Sequence, residues 1–76
     1  MKLKEMDVGI NGKIVGFLTK DRHYRQKLLR MGLVKGETFS IIRKAPMGDP
    51  IEIKIKGYSL TLRKNESDAL EVEVIK

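Results

Sequence analysis

Apolar and polar residues alternate strictly along much of the second half of the chain. The run IEIKIKG at residues 51–57 places isoleucine on one side and glutamate or lysine on the other. ETFSIIR at 37–43, YSLTLR at 58–63 and LEVEVI at 70–75 alternate in a similar way. A period of two with one apolar face predicts antiparallel strands around a common core. The side chains expected to point inward are Phe39, Ile41, Ile51, Ile53, Ile55, Tyr58, Leu60, Leu62, Leu70, Val72 and Val74.

The first half of the chain predicts one further strand and a helix. Two glycines precede an apolar stretch at 13–17, which indicates a bend that leads into a short strand. From about 21 to 31, apolar residues recur at helical spacing and charged residues occupy the other sides. Thr19 or Asp21 can serve as the N-cap, and Gly32 suits the left-handed position that follows a helix.

These elements predict a mainly β fold class. We expect a small, closed or nearly closed β-barrel of about five antiparallel strands, with one α-helix inserted at about 21–31. Closure of the sheet removes strand edges that would otherwise be exposed. The chain has 76 residues and no cysteine, so residues 1–76 are expected to form a single domain on one compact core without disulfides.

The segment KAPMGDP at 44–50 raises a choice between a ligand site and a turn. A metal site at Asp49 would need further oxygen or nitrogen ligands, and the neighbouring Pro46, Met47 and Pro50 supply none. A phosphate cradle would need a helix N-terminus after Gly48, whereas a strand is predicted there. The segment is therefore interpreted as a turn, with Met47 as a candidate contact for a partner.

Charge and residue chemistry limit the classes of function. The formal net charge of +6 favours anionic partners, but the four scattered aromatic residues are few for a surface that stacks bases. His23 and Asp21 fall short of the three or four ligands of a dedicated metal site. No grouping of residues supports nucleophilic or general acid–base catalysis. The chain is therefore predicted not to be an enzyme, and no catalytic, cofactor-binding or metal-binding residues are assigned.

The hydropathy of the chain predicts a cytoplasmic location. No stretch approaches the roughly 20 apolar residues that a membrane-spanning helix needs. The opening MKLKE lacks the apolar run of a signal peptide. We expect no insertion into a membrane.

Several motifs, in this order and spacing, carry a resemblance to a known family. They are KLKEMDVGINGKIVGF at 2–17, LLRMGLVKG at 28–36, PMGDP at 46–50 and LTLRKNESDALEVEV at 60–74. Together they resemble ferrous iron transport protein A (FeoA) over nearly the whole chain. The resemblance implies an SH3-like β-barrel with an inserted helix. It also brings a family label of transition-metal binding, for which this sequence offers no ligand set.

The resemblance further implies a partner. By this resemblance, the chain is expected to be a small accessory protein of bacterial ferrous iron uptake that acts beside the membrane transporter FeoB, which carries a cytoplasmic G-protein domain. The chain is thus expected to dock on FeoB at the inner face of the membrane and to modulate it. The hypothetical partner-binding residues are Tyr24, Leu28, Met31, Gly32, Leu33, Ala45, Pro46, Met47 and Gly48, with a basic face of Arg22, Arg25, Lys27 and Arg30. The alternative for the helix leucines and Met31 is that they belong to the core.

Two other functions stay open at this point. The segment VGINGKIVGF at 8–17 also resembles the glycine-rich strand of small ribosomal and transcription-factor barrels, and the basic charge suits phosphate contacts. This predicts an SH3-like nucleic-acid-binding module, although the sparse aromatic residues count against it. A third hypothesis is a homo-oligomer built through a strand edge.

Overall fold

The computed structural model describes residues 1–75. The chain begins with a 3₁₀ helix (Leu3–Glu5) and continues with β1 (Asn11–Phe17), α1 (Arg22–Arg30), β2 (Thr38–Lys44) and β3 (Ile51–Ile55). It ends with β4 (Tyr58–Leu62), α2 (Lys64–Asp68) and β5 (Leu70–Val74). The mainly β class, with a helix between the first two strands, is confirmed. The short helix α2 is an element that the sequence pattern did not predict.

The strands form one antiparallel sheet in the order β4–β3–β2–β1–β5. The register shifts between Ile14 and Gly16 where β1 pairs with β5, and between Ile41 and Arg43 where β2 pairs with β3. Irregularities of this kind bend a strand and increase its twist. The sheet therefore curls around its inner face, as expected of a small barrel.

One apolar cluster fills the inside of the curled sheet. The isoleucines of β3, together with Leu70 and Val72 of β5, are buried where the alternation predicted them. Side chains from α1, from its C-terminal turn and from the first six residues close the cluster at its ends. Its buried members are Leu3, Met6, Ile14, Leu28, Leu33, Phe39, Ile41, Ile51, Ile53, Ile55, Leu62, Ala69, Leu70 and Val72.

The N-terminal segment is held against two strands by hydrogen bonds. The backbone N–H of Val72 in β5 donates to the carbonyl of Met1 at 2.9 Å. Lys44 in β2 reaches the same segment, and its Nζ donates to the carbonyls of Lys4 and Met6, at 2.9 Å each. The segment thereby joins β5 to β2 across the end of the core.

Three side chains predicted to point into the core are less buried than expected. Tyr58 is 42% exposed and Leu60 is half-buried, because β4 lies at the edge of the sheet. Val74 is 44% exposed, since it is the last residue of β5, which lies at the other edge of the sheet. The sequence pattern overestimated the burial of these three side chains, because it could not show that their strands lie at the edges of the sheet.

Candidate docking surface

Both ends of α1 have caps that determine its boundaries. The Asp21 carboxylate accepts the backbone N–H groups of His23 and Tyr24, at 2.9 and 3.2 Å, which confirms one of the two predicted N-caps. Gly32 adopts φ +94°, and the N–H of Leu33 donates to the carbonyl of Leu28 at 3.1 Å. This Schellman geometry turns Leu33 back onto the helix, and both leucines are fully buried. The caps and this burial orient the rest of α1.

The exposed sides of α1 present positive charge. Arg22, Arg25, Lys27 and Arg30 are all exposed, as predicted for the basic face. None of the nine helix residues is acidic. Within residues 1–75 the three arginines form no ion pair and no side-chain hydrogen bond. A face of this kind attracts an acidic surface and speeds encounter with it.

Lys27 connects α1 to α2. Its Nζ lies 3.2 Å from Oε2 of Glu66 and 5.4 Å from the centre of the Tyr24 ring. A cation at this distance from an aromatic face is attracted by the ring quadrupole. Burial raises the pKa of Tyr24, the Glu66 carboxylate raises it further, and Lys27 acts in the opposite direction. This small polar cluster holds the two helices together at the surface.

The segment 45–50 is a closed turn, as interpreted from the sequence. The N–H of Gly48 donates to the carbonyl of Ala45 at 2.7 Å, and the N–H of Ala45 donates to the carbonyl of Pro50 at 3.0 Å. The peptide bond between Asp49 and Pro50 is cis. Met47 lies at the tip with 92% of its surface exposed. An apolar side chain held outward on a closed turn is a contact that a partner can bury.

A cleft of about 360 Å³ lies between this turn and α2. Lys64 of α2 is paired with Asp68, with 3.4 Å between Nζ and Oδ2, while Oδ1 of Asp68 is buried without a hydrogen-bond partner. The cleft is lined by Lys4, Lys44, Met47, Gly48, Asp49, Lys64, Ser67 and Asp68. Since α2 contacts α1 through Glu66 and the cleft through Asp68, it lies between the two regions predicted to bind a partner.

The predicted partner-binding residues divide by burial. Leu28 and Leu33 belong to the core, as the alternative interpretation held. Tyr24, Met31 and Gly32 are half-buried beside them. In the turn, Ala45 and Gly48 are half-buried, whereas Pro46 and Met47 are exposed. We use the name α1–turn surface for the part that a partner can reach, namely Arg22, Tyr24, Arg25, Lys27, Arg30, Met31, residues 45–48 and the exposed side of α2.

Potential metal ligands are dispersed in the described part of the chain. His23 is exposed on α1, and the neighbouring Asp21 carboxylate is engaged in capping the helix. Across residues 1–75, no group of three or more histidine, aspartate or glutamate side chains is placed to hold a metal ion. The described residues likewise include no helix long and apolar enough to cross a membrane.

The curled sheet, the capped basic helix and the exposed turn define a small β-barrel domain with a mixed basic and apolar surface. The sequence profile of the FeoA domain matches residues 1–74. The chain belongs to the FeoA family, as its motifs indicated. Its fold is the SH3-like barrel expected for that family.

Relatives of known sequence and structure agree with this assignment. The chain is 33% identical over 75 residues to the Fe(2+) transport protein A/Fe(2+) transporter FeoB fusion protein of Porphyromonas gingivalis. The aligned region covers 99% of this chain and 9% of the fusion protein. It is 41% identical to the iron(II) transport protein A of Clostridium thermocellum, with a TM-score of 0.88, covering 99% of this chain and 46% of that one. This chain therefore spans less than half the length of either relative.

A more distant structure supports the fold alone. The FeoA of Stenotrophomonas maltophilia, solved in complex with zinc and described as a prokaryotic SH3 domain protein, is 24% identical to this chain. It superposes with a TM-score of 0.79 over 96% of this chain and 89% of its own length.

Proposed function

We propose that this chain serves ferrous iron uptake as an accessory domain that docks on the FeoB transporter and modulates it. The observation that carries the proposal is the Porphyromonas gingivalis protein, in which a sequence related to nearly all of this chain occurs in one polypeptide with FeoB. Covalent linkage keeps two domains at a high effective concentration, which favours contact between them. A separate chain of the same family is suited to the same contact in trans.

The α1–turn surface has the composition of a docking site. Interfaces combine a few well-buried apolar or aromatic contacts with a polar rim that steers the encounter. Here Met47 supplies an exposed apolar contact and the arginines of α1 supply charge that the described residues leave unneutralised. We therefore assign Met47 a role in affinity and the arginines a role in association rate.

The proposed mechanism is binding rather than catalysis. A docked domain alters a transporter only if it binds one of the transporter's states more tightly than another. The G-protein domain that the family resemblance implies for FeoB offers such states, because its conformation depends on the bound guanine nucleotide. The proposal therefore requires an affinity that changes with the nucleotide.

A titration of the isotope-labelled protein with detergent-solubilised FeoB, without and with guanine nucleotides, tests the proposal. We expect localised NMR shifts at Met47 and along α1, with a dissociation constant that depends on the nucleotide. Raising the salt concentration should slow association by more than about tenfold. Absence of binding in every nucleotide state would overturn the proposal, and a nucleic-acid titration of the same sample would then test the alternative function.

Matched variants separate the two contributions to binding. Arg25→Glu and Lys54→Glu make the same change of charge at exposed residues without an ion pair in the described chain, but only Arg25 lies on the α1–turn surface. We expect Arg25→Glu to slow association about threefold to tenfold and Lys54→Glu to have a much smaller effect. Met47→Ser should weaken affinity about tenfold, with Val8→Ser, another exposed apolar position, as its control.

A further inference from the structure

The two edges of the sheet differ in how they are covered. At the β5 edge, Lys2 forms an isolated bridge with Glu71, and the carbonyl of Met1 accepts the N–H of Val72. At the β4 edge, the described residues form pairs with β3 alone. An uncovered edge exposes a row of backbone donors and acceptors to which another strand can pair.

The hairpin that joins β3 to β4 determines which backbone groups are free. Lys56 and Gly57 have φ values of +54° and +83°, which is the type I′ geometry of a two-residue turn. In such a hairpin the residues next to the turn, Ile55 and Tyr58, exchange hydrogen bonds. Alternation along the ladder then directs the N–H and C=O groups of Ser59 and Thr61 away from β3. Within residues 1–75 these groups form no other backbone hydrogen bond.

The residues of β4 lack the features that usually protect an edge. The strand reads YSLTL and contains no charged residue and no proline. Its pairing with β3 runs without a bulge. Natural edge strands are commonly protected by lysine, proline or a bulge. The edge is therefore suited to pairing with a second strand.

We propose that β4 pairs in antiparallel fashion with β4 of a second copy of this chain, with Leu60 on the two-fold axis. In this register Ser59 of each copy faces Thr61 of the other. Each such pair exchanges both hydrogen bonds, so the free backbone groups of the edge are satisfied without strain on the monomer.

The side chains are self-complementary in the same register. On the inner face, the half-buried Leu60 meets Leu60 of the second copy. Tyr58, whose hydroxyl donates to the carbonyl of Met31 at 2.7 Å, lies opposite Leu62, which is fully buried within its own copy. On the outer face, Ser59 meets Thr61, both small and uncharged. In β3, the neighbour of Ser59 is Lys54 and the neighbour of Thr61 is Glu52. Each Ser59–Thr61 pair is therefore flanked by a lysine of one copy and a glutamate of the other, which have opposite charges. A second copy therefore matches the edge from Ser59 to Thr61.

Charge repulsion makes this association dependent on salt. Each copy carries a net charge of +6. Lys56 and Lys64, which the register brings near each other, are paired with Glu37 and Asp68 of their own copies and add little to the repulsion. The net charge opposes the dimer and is screened by salt. Raising the salt concentration is therefore expected to strengthen the dimer, whereas it should weaken the docking proposed above. Failure of one proposal is thus distinguishable from failure of the other.

Sedimentation equilibrium of the whole chain over a dilution series tests the proposal. At protein concentrations up to about 1 mM, the mass should rise from that of the 8.7 kDa monomer towards twice that value, and more steeply at high salt. The amides of Ser59 and Thr61 should exchange rapidly in dilute samples and slowly in concentrated ones. A chain that stays monomeric, or a dimer in which both amides still exchange rapidly, would overturn the proposal.

A pair of matched variants locates the interface. Thr61→Lys and Thr38→Lys add the same side chain at exposed strand positions, on the edge strand β4 and on the internal strand β2. We expect Thr61→Lys to raise the dimer dissociation constant about tenfold or more relative to Thr38→Lys. Equal effects of the two variants would show that added charge alone weakens the dimer and would overturn the assignment of β4 as the interface.

Discussion

At the scale of single residues, Gly12 occupies a place with no room for a side chain. A Cβ atom there would lie 2.7 Å from Cε of Met6 and 2.7 Å from Cζ of Phe39, both of which belong to the core. These neighbours would have to move, and overpacking of this kind is costly in a close-packed interior. We expect Gly12→Ala to lower the free energy of unfolding by about 1–3 kcal/mol, measured by urea denaturation.

Gly16 is the matched control for this prediction. It lies in the same strand, and a Cβ atom there would meet only Cβ of Glu71, at an ordinary distance of 3.9 Å. Gly16→Ala should change stability by less than about 0.5 kcal/mol. Equal losses in the two variants would mean that replacing glycine anywhere in β1, rather than the close contact at Gly12, causes the effect.

At the scale of elements, α1 depends on its ends. A helix of nine residues is marginal in isolation, so its cap and its packing decide whether it forms. Asp21→Ala removes the acceptor of two backbone N–H groups and should lower the free energy of unfolding by about 1 kcal/mol. Asp21→Asn keeps an acceptor oxygen and should retain most of the stability. Thermal unfolding followed by circular dichroism measures both, and an equal loss in the two variants would contradict the capping role.

The contrast between α1 and α2 shows what sequence patterns can predict. The boundaries of α1 follow from a capping residue, apolar positions at helical spacing and Gly32 at its end, and all three signals are local. The five residues of α2, KNESD, contain no apolar residue and hence no periodicity. The local signal of α2 was the spacing of Arg63 and Glu66, since the Glu66 carboxylate accepts the N–H of Arg63 at 2.9 Å. Glutamate three residues after an arginine is too common to predict a helix.

The candidate surface was predictable only in part, for a related reason. The sequence indicated that Met47 lies on a turn and that the cations of α1 fall on the sides of the helix outside its apolar stripe. It could not decide whether Leu28 and Leu33 face a partner or the core, because burial depends on which distant strands cover them. Tyr58 shows the same limit, since its exposure follows from the position of β4 at an edge, which is set by the order of the whole sheet.

At the scale of the whole molecule, one lysine joins the N-terminal segment to the barrel. Nζ of Lys44 donates to two backbone carbonyls of that segment, those of Lys4 and Met6, which accept no other hydrogen bond from residues 1–75. Lys44→Met keeps the unbranched apolar part of the side chain and removes the donor. Since hydrogen bonds from charged donors contribute about 1.5–3 kcal/mol, we expect a loss of unfolding free energy in that range, reduced by the partial exposure of the site.

The position of Lys44 also predicts which part of the protein opens more readily in the Lys44→Met variant. The segment covers the β5 edge through Met1, so its release should speed hydrogen exchange at the amide of Val72 and at that of Met6, which donates to Leu3. Hydrogen exchange at the amides of β3 should change only as far as the stability of the whole protein changes. Lys54→Met, at an exposed lysine without an ion pair in the described chain, is the control. If Lys44→Met speeds exchange uniformly across the sheet, the lysine stabilises the barrel as a whole, and the N-terminal segment does not open as a separate unit.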